Sequence, residues 1–283
     1  MKKISLLPNA ITTFALACGL FVILRVNVSV QGCSYYDVLH SSAILLLIAA
    51  LADTLDGAVA RLVRAESEFG FNFDSLADTV NFGVAPSVLM LKSLVLAPDS
   101  FLFFFAMASA MLYSICGVLR LVRFNVKSKQ VDRDTMLTFA QKKNFTGLPI
   151  PAAAAAVVSV NLFSFSDDCA KIVSINDAVR SSVLAVIMVV IAYFMVSRWK
   201  FPSLKTLQFR IPSFPLVVAI VLVALLLLYG ILYHFALVFF GISWLYLVIG
   251  WILSIIRLVV GKKSKTLIDF EPEPESDEED HHL

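Results

Sequence analysis

Charge is scarce in this 283-residue sequence: Asp, Glu, Lys and Arg make up 16%, where about 25% is usual in a soluble protein. Apolar residues reach 59%, so a water-soluble globule is excluded. The 11 glycines and 10 prolines are too few for a collagen or a Pro/Gly-rich disordered chain. The 4 cysteines (Cys18, Cys33, Cys116 and Cys169) form no CxxC pair, which removes support for zinc or thioredoxin-like chemistry. No internal repeat suggests a transporter built from two halves. What the sequence does contain is a series of long hydrophobic runs, and the length accommodates about six to eight helical spans.

The runs lie near 6–26, 38–62, 74–97, 100–124, 147–166, 178–197, 214–233 and 235–257. The expected fold is therefore all-α: a polytopic membrane protein of about eight transmembrane helices. Lys2 and Lys3 ahead of the first run also have the form of a signal peptide, but Pro8 inside it favours a retained span. Eight spans put both termini on one side. That side collects Lys2, Lys3, Arg61, Arg64, Arg120, Arg123, Lys142, Lys143, Arg198, Lys200 and Arg257, whereas the other has Arg25, Lys171 and Arg180. By the positive-inside rule the crowded side is cytoplasmic.

The net charge of +2 conceals two opposed parts. Residues 269–283 hold eight of the 21 acids and no Lys or Arg, leaving 23 basic against 13 acidic residues elsewhere, about +10. The excess falls in short clusters between apolar runs. This suits an anionic bilayer surface and not nucleic acid. The acidic, Pro-punctuated tail is expected to be disordered. The polar stretches 127–146 and 198–213 are expected to be cytoplasmic loops with some surface helix. Cys33 and Cys169 would both face outward as unpaired thiols or as a disulfide.

The stretch LADTLDGAVARLVRAESEFGFNFDSLADTVNFG (51–83) carries the chemistry. Asp53, Asp56, Gly57, Ala60 and Arg61 recur at i, i+3, i+4, i+7 and i+8, one face of a helix. Gly70, Asp74, Asp78 and Asn81 form a second stripe on the next helix. The connection is short, so the helices are expected to be antiparallel neighbours with their stripes meeting. An ionised Asp at mid-bilayer costs about 2.5–3.5 kcal/mol on insertion scales, and four together repel one another. Bound divalent metal relieves both problems, and an all-oxygen donor set favours Mg²⁺, Mn²⁺ or Ca²⁺. A proton or cation pathway and ion pairing between helices remain the alternatives from spacing alone.

The spacing D-x2-D-G-x2-A-R-x8-G-x3-D-x3-D, from Asp53 to Asp78, resembles the signature of the CDP-alcohol phosphotransferase family, with every fixed position filled. The words LPNAITTFALACG (7–19), DSLADTVNFGVAP (74–86), CGVLRLVRFN (116–125) and FTGLPIPAAA (145–154) are similar to its bacterial, integral-membrane, phosphatidylserine-forming branch. The resemblance covers residues 1 to about 200. It implies a six-helix catalytic core over 1–200, two further spans in 201–260, a tail at 261–283, and a homodimer in the bacterial inner membrane.

It further implies that CDP-diacylglycerol and L-serine are joined into phosphatidylserine with release of CMP, in a cytoplasm-facing site dependent on Mg²⁺ or Mn²⁺. Asp53, Asp56 and Asp74 would be metal ligands, and Asp78 would complete the metal site and act as base on the serine hydroxyl. Gly57 would leave room for the cytidine ring, and Arg61 would contact the nucleotide or its phosphates, with Ala60 and Gly70 the remaining signature positions. Asn9, Thr12, Asn81, Arg120 and Arg123 are candidate substrate contacts. Each has a bland alternative: helix-start chemistry for Asn9 and Thr12, helix–helix bonding for Asn81, and membrane-anchoring charge for the arginines. The histidines (His40, His234, His281 and His282) lie outside the motif, so direct attack by serine is favoured over a covalent phosphatidyl-enzyme.

Overall fold

The computed structural model describes residues 6–28, 34–63, 67–94, 96–97, 100–131, 144–172, 176–197, 200–202 and 229–260. Outside them lie Cys33, Arg64, Lys142, Lys143, most of the span expected at 214–233, and the acidic tail. The described helices are α1 (Leu6–Asn27), α2 (Tyr35–Leu62), α3 (Glu68–Asp78), α4 (Ala85–Ser93), α5 (Phe101–Val131), α6 (Ile150–Ser164), α7 (Asp167–Ile172), α8 (Asp177–Val196) and α9 (Phe235–Val260). Residues 229–233 are also helical. A wide π-helical turn, Thr79–Val84, joins α3 to α4.

Five of these helices are long and apolar enough to cross a membrane: α1, α2, α5, α8 and α9. The protein is an all-α polytopic membrane protein. Its outer surface is apolar, with Phe14, Phe21, Leu51, Leu55, Phe104, Met111, Ile115 and Leu119 exposed. In a bilayer these side chains face lipid at no hydrophobic cost.

The hub is α6. Its 15 residues, IPAAAAAVVSVNLFS, are buried almost continuously from Ala153 to Leu162. The run of alanines explains this, because small side chains let neighbouring helices approach from every side. At about 1.5 Å per residue α6 falls short of the ~30 Å hydrocarbon core. One core cluster gathers around α6 with Phe82, Met90, Tyr113, Leu184, Met188 and Leu247. The other joins the C-terminal half of α1 to the start of α2 through Val22, Val26, Leu39 and Ala43. At that end His234 Nδ1 lies 2.9 Å from Asp168 Oδ2, tying the start of α9 to α7.

A two-stranded antiparallel ribbon adds to the helices. Strand β1 (Asn144–Thr146) pairs with β2 (Lys200–Pro202), Phe145 opposite Phe201. These segments fall in stretches expected to be loop and surface helix. Backbone pairing between them competes successfully because neither has a helical apolar stripe to bury.

Gly147 follows β1 with φ +79°, and a Cβ there would stand 2.6 Å from Met195 O and 3.2 Å from Ser197 O. The next residue, Leu148, donates its N–H to Phe194 O at 3.1 Å. Gly147→Ala is therefore expected to lower stability by about 1–3 kcal/mol, from left-handed backbone strain and the carbonyl clash together. Thermal melting in detergent checks this; an unchanged melting temperature would remove the glycine's assigned role.

Candidate active site

The site lies where the later turns of α2, helix α3, the start of α1 and the far end of α5 come together. Helix α2 carries Asp53 and Asp56 one turn apart. After the connection, Ser67 caps α3 by accepting the Gly70 N–H at 3.0 Å, which starts the helix in register to bring Asp74 and Asp78 back towards α2. One carboxylate oxygen each from Asp53, Asp56 and Asp74 lies within 4.8 Å of the others. Asp78 is not one of these three, but its carboxylate meets that of Asp53.

The starting turn of α1 supports this group. The Thr12 hydroxyl donates to Asp56 Oδ2, and it also lies 3.1 Å from Pro8 O. Thr12 and Asp56 are both buried. A Cβ on Gly70 would come within 3.2 Å of Asn9 Oδ1 and 3.1 Å of Ser67 Oγ, so Gly70 serves the close approach of α3 to α1. A Cβ on Gly57 would have nothing within 4 Å, an open space beside Asp56. Ala60 is partly buried, and Arg61 is exposed at the end of α2.

Helix α5 closes another side. Arg120 lies within electrostatic reach of Asp78 and of Tyr246 on α9. Asn125 Nδ2 donates to Ser75 Oγ at 2.9 Å, joining α5 to α3 next to Asp74. Arg123 reaches Val196 O at 3.3 Å, joining α5 to the end of α8.

Asn81 is fully buried, with neither its amide nitrogen nor its oxygen hydrogen-bonded to protein. It does not continue the Asp74–Asp78 stripe into the carboxylate group. The wide turn rotates it towards α1, where a Cβ on Gly19 would stand 2.0 Å from Asn81 Oδ1. Gly19 is thus a notch that admits Asn81.

The residues missed by sequence reading surround the π-turn. Tyr113 donates to Phe82 O at 2.9 Å, and Ser114 lies 3.0 Å from Gly83 O. A signal was available: Pro86 sits inside an apolar run, and its missing N–H requires a donor from elsewhere.

The donor set fits a divalent cation. Three carboxylate oxygens converge, and Asp74 Oδ1 and Asp78 Oδ1 are buried with no hydrogen-bond partner. Oxygen-only ligation suits a hard ion such as Mg²⁺ or Mn²⁺. The arrangement can hold a metal against a diphosphate, with a carboxylate at its edge available to a proton.

A family profile described as CDP-alcohol phosphatidyltransferase matches residues 5–181. A Helicobacter pylori protein named CDP-diacylglycerol–serine O-phosphatidyltransferase is 31% identical over 271 residues, 93% of this chain and 98% of its own length. A Bacillus subtilis protein of the same name is 32% identical over 200 residues, 70% of this chain and 91% of its own. An archaetidylserine synthase of Methanothermobacter thermautotrophicus is 34% identical over 166 residues, 58% of this chain and 59% of its own.

Proposed function

The chain belongs to the CDP-alcohol phosphatidyltransferase family, and from that premise we propose that it transfers the phosphatidyl group of CDP-diacylglycerol to L-serine, giving phosphatidylserine and CMP. The observation that carries the transfer chemistry is the convergence of Asp53, Asp56 and Asp74 to within 4.8 Å, with Asp78 at their edge. The choice of serine is supported by similarity along nearly the whole length of a relative named for that acceptor.

In this reading Asp53, Asp56 and Asp74, with Asp78, hold Mg²⁺ or Mn²⁺. When bound, that ion neutralises the diphosphate charge that builds as the bond to CMP breaks. Asp78 accepts the serine hydroxyl proton as the oxygen attacks the phosphatidyl phosphorus. The phosphorus–oxygen bond to CMP breaks in the same displacement, and CMP leaves with the negative charge. A general base of this kind contributes about 10²- to 10⁴-fold.

Thr12 holds Asp56 in place, Gly57 leaves space for the cytidine, and Arg61 meets the nucleotide phosphates from the rim. Ala60 and Gly70 keep that face of the site narrow, and Asn9 borders it through Gly70. Arg120 and Arg123 offer planar forks to the serine carboxylate or the lipid phosphate. Asn81 supports the site from beneath through its seat on α1. The catalytic core occupies 1–200, with both termini and the site on the cytoplasmic face of a bacterial inner membrane, in a homodimer.

The test supplies the purified full chain with CDP-diacylglycerol and L-serine, glycerol 3-phosphate or inositol in turn, and measures CMP. Serine-dependent release is expected. Equal or faster release with another acceptor would reassign the substrate within the family.

A further inference from the structure

The α3–α4 span is interrupted directly after Asp78. Across Thr79–Val84 the turn is π-helical, and the Ala85 N–H bonds to Val80 O, five residues back. In a regular α-helix Phe82 O would receive the N–H of residue 86, but that residue is Pro86 and has none. In the interior of a membrane protein an unmatched carbonyl has no water to bond, so the freed groups require partners. Helix α5 provides them. The Tyr113 hydroxyl, fully buried, donates to Phe82 O at 2.9 Å. The Ser114 hydroxyl is 3.0 Å from Gly83 O, and Ser87 Oγ is 3.1 Å from the same oxygen and 2.8 Å from Ser114 Oγ. Two glycines allow this approach: a Cβ on Gly117 would lie 3.6 Å from Gly83 Cα and 3.0 Å from Ile150 Cδ1.

The turn fixes an angle. Leu89 and Met90 anchor α4 in the two cores, while α3 carries Asp74 and Asp78. Replacing the wide turn by a regular one would change the rotation between these faces by up to about one residue's worth, ~100°. With α4 held in its core, Asp78 would swing away from Asp53.

We propose that Tyr113 and Ser114 are positioning residues for phosphatidyl transfer: their hydroxyls clamp the π-turn open, and the open turn sets where Asp78 meets the other carboxylates. The proposal rests on the reading of Asp78 as part of the transfer site. It concerns side chains whose hydroxyls meet the backbone of the π-turn, on a helix outside the aspartate motif.

The test uses the full-length protein in detergent micelles, comparing wild type, Tyr113→Phe, Ser114→Ala and, as a hydroxyl-removal control, Ser109→Ala, whose hydroxyl bonds Ala106 O of its own helix at 2.8 Å. Four quantities are measured: kcat and KM for CDP-diacylglycerol, Mn²⁺ binding by electron paramagnetic resonance without substrate, and thermal melting. Tyr113→Phe is expected to lower kcat by roughly 10- to 100-fold, as small misplacements of reacting groups do. Its KM should stay within about twofold of wild type, because nucleotide contacts are kept. Its Mn²⁺ midpoint should rise severalfold. Ser114→Ala should move the same readouts in the same direction by less, since Ser87 remains at the Gly83 carbonyl; it serves as the test variant if Tyr113→Phe does not fold. Ser109→Ala should match wild type. Folded Tyr113→Phe with wild-type kcat and Mn²⁺ midpoint would overturn the proposal, as would lost stability with both unchanged. Absence of CMP release from wild type would instead defeat the transfer reading, and the Mn²⁺ midpoints would still judge the clamp.

Discussion

Asp78→Asn is expected to reduce CMP release by about 10²- to 10⁴-fold while leaving CDP-diacylglycerol binding within a few-fold of wild type. Asparagine has nearly the shape of aspartate, so packing beside Asp53 and Arg120 is kept. What it loses is the capacity to take a proton from the attacking hydroxyl. We propose Asp78 as the base because its carboxylate meets that of Asp53 at the edge of the three-oxygen cluster. Binding of the nucleotide lipid and turnover must be measured separately on the same preparation. Turnover at the wild-type rate would exclude Asp78 as the base; a parallel collapse of binding would make it chiefly a ligand.

Chelation is expected to abolish activity, and Mg²⁺ or Mn²⁺ to restore it. Three carboxylate oxygens within 4.8 Å repel one another unless a cation lies among them. The same ion should stabilise the fold, because whatever binds the native state alone raises its stability, by about 2.7 kcal/mol at one hundred times Kd. The melting temperature should therefore climb with added Mn²⁺, and Asp53→Asn should blunt that climb. Full CMP release in excess EDTA would remove the metal from the mechanism.

Much of this architecture was legible in the sequence, for a physical reason. Hydrocarbon demands long apolar runs, so α1, α2, α5, α8 and α9 appear close to where hydropathy expects them. Helical periodicity places Asp53 with Asp56 and Asp74 with Asp78, and a short connection leaves the two pairs little choice but to meet. The π-turn was not legible as such, because its partners, Tyr113 and Ser114, come from another helix. Asn81 shows the consequence: α-helical spacing puts it on the aspartate stripe, but the wider turn delivers it to Gly19. Nor was the pairing of Asn144–Thr146 with Lys200–Pro202 legible, since backbone hydrogen bonds leave no side-chain pattern. The approach of Tyr246 to within electrostatic reach of Arg120 depends on how α9 docks against the bundle, which no local motif encodes.

The ribbon also imposes an order on biogenesis. Strand β1 is synthesised before α6 and α8, yet its partner emerges only after both. At about 5–20 residues per second the ribosome needs several seconds to cover that interval. Through that time the Asn144–Thr146 backbone lacks the strand it pairs with in the finished fold. When Lys200–Pro202 arrives, the ribbon adds to the Leu148 N–H bond to Phe194 O that already joins the start of α6 to the end of α8.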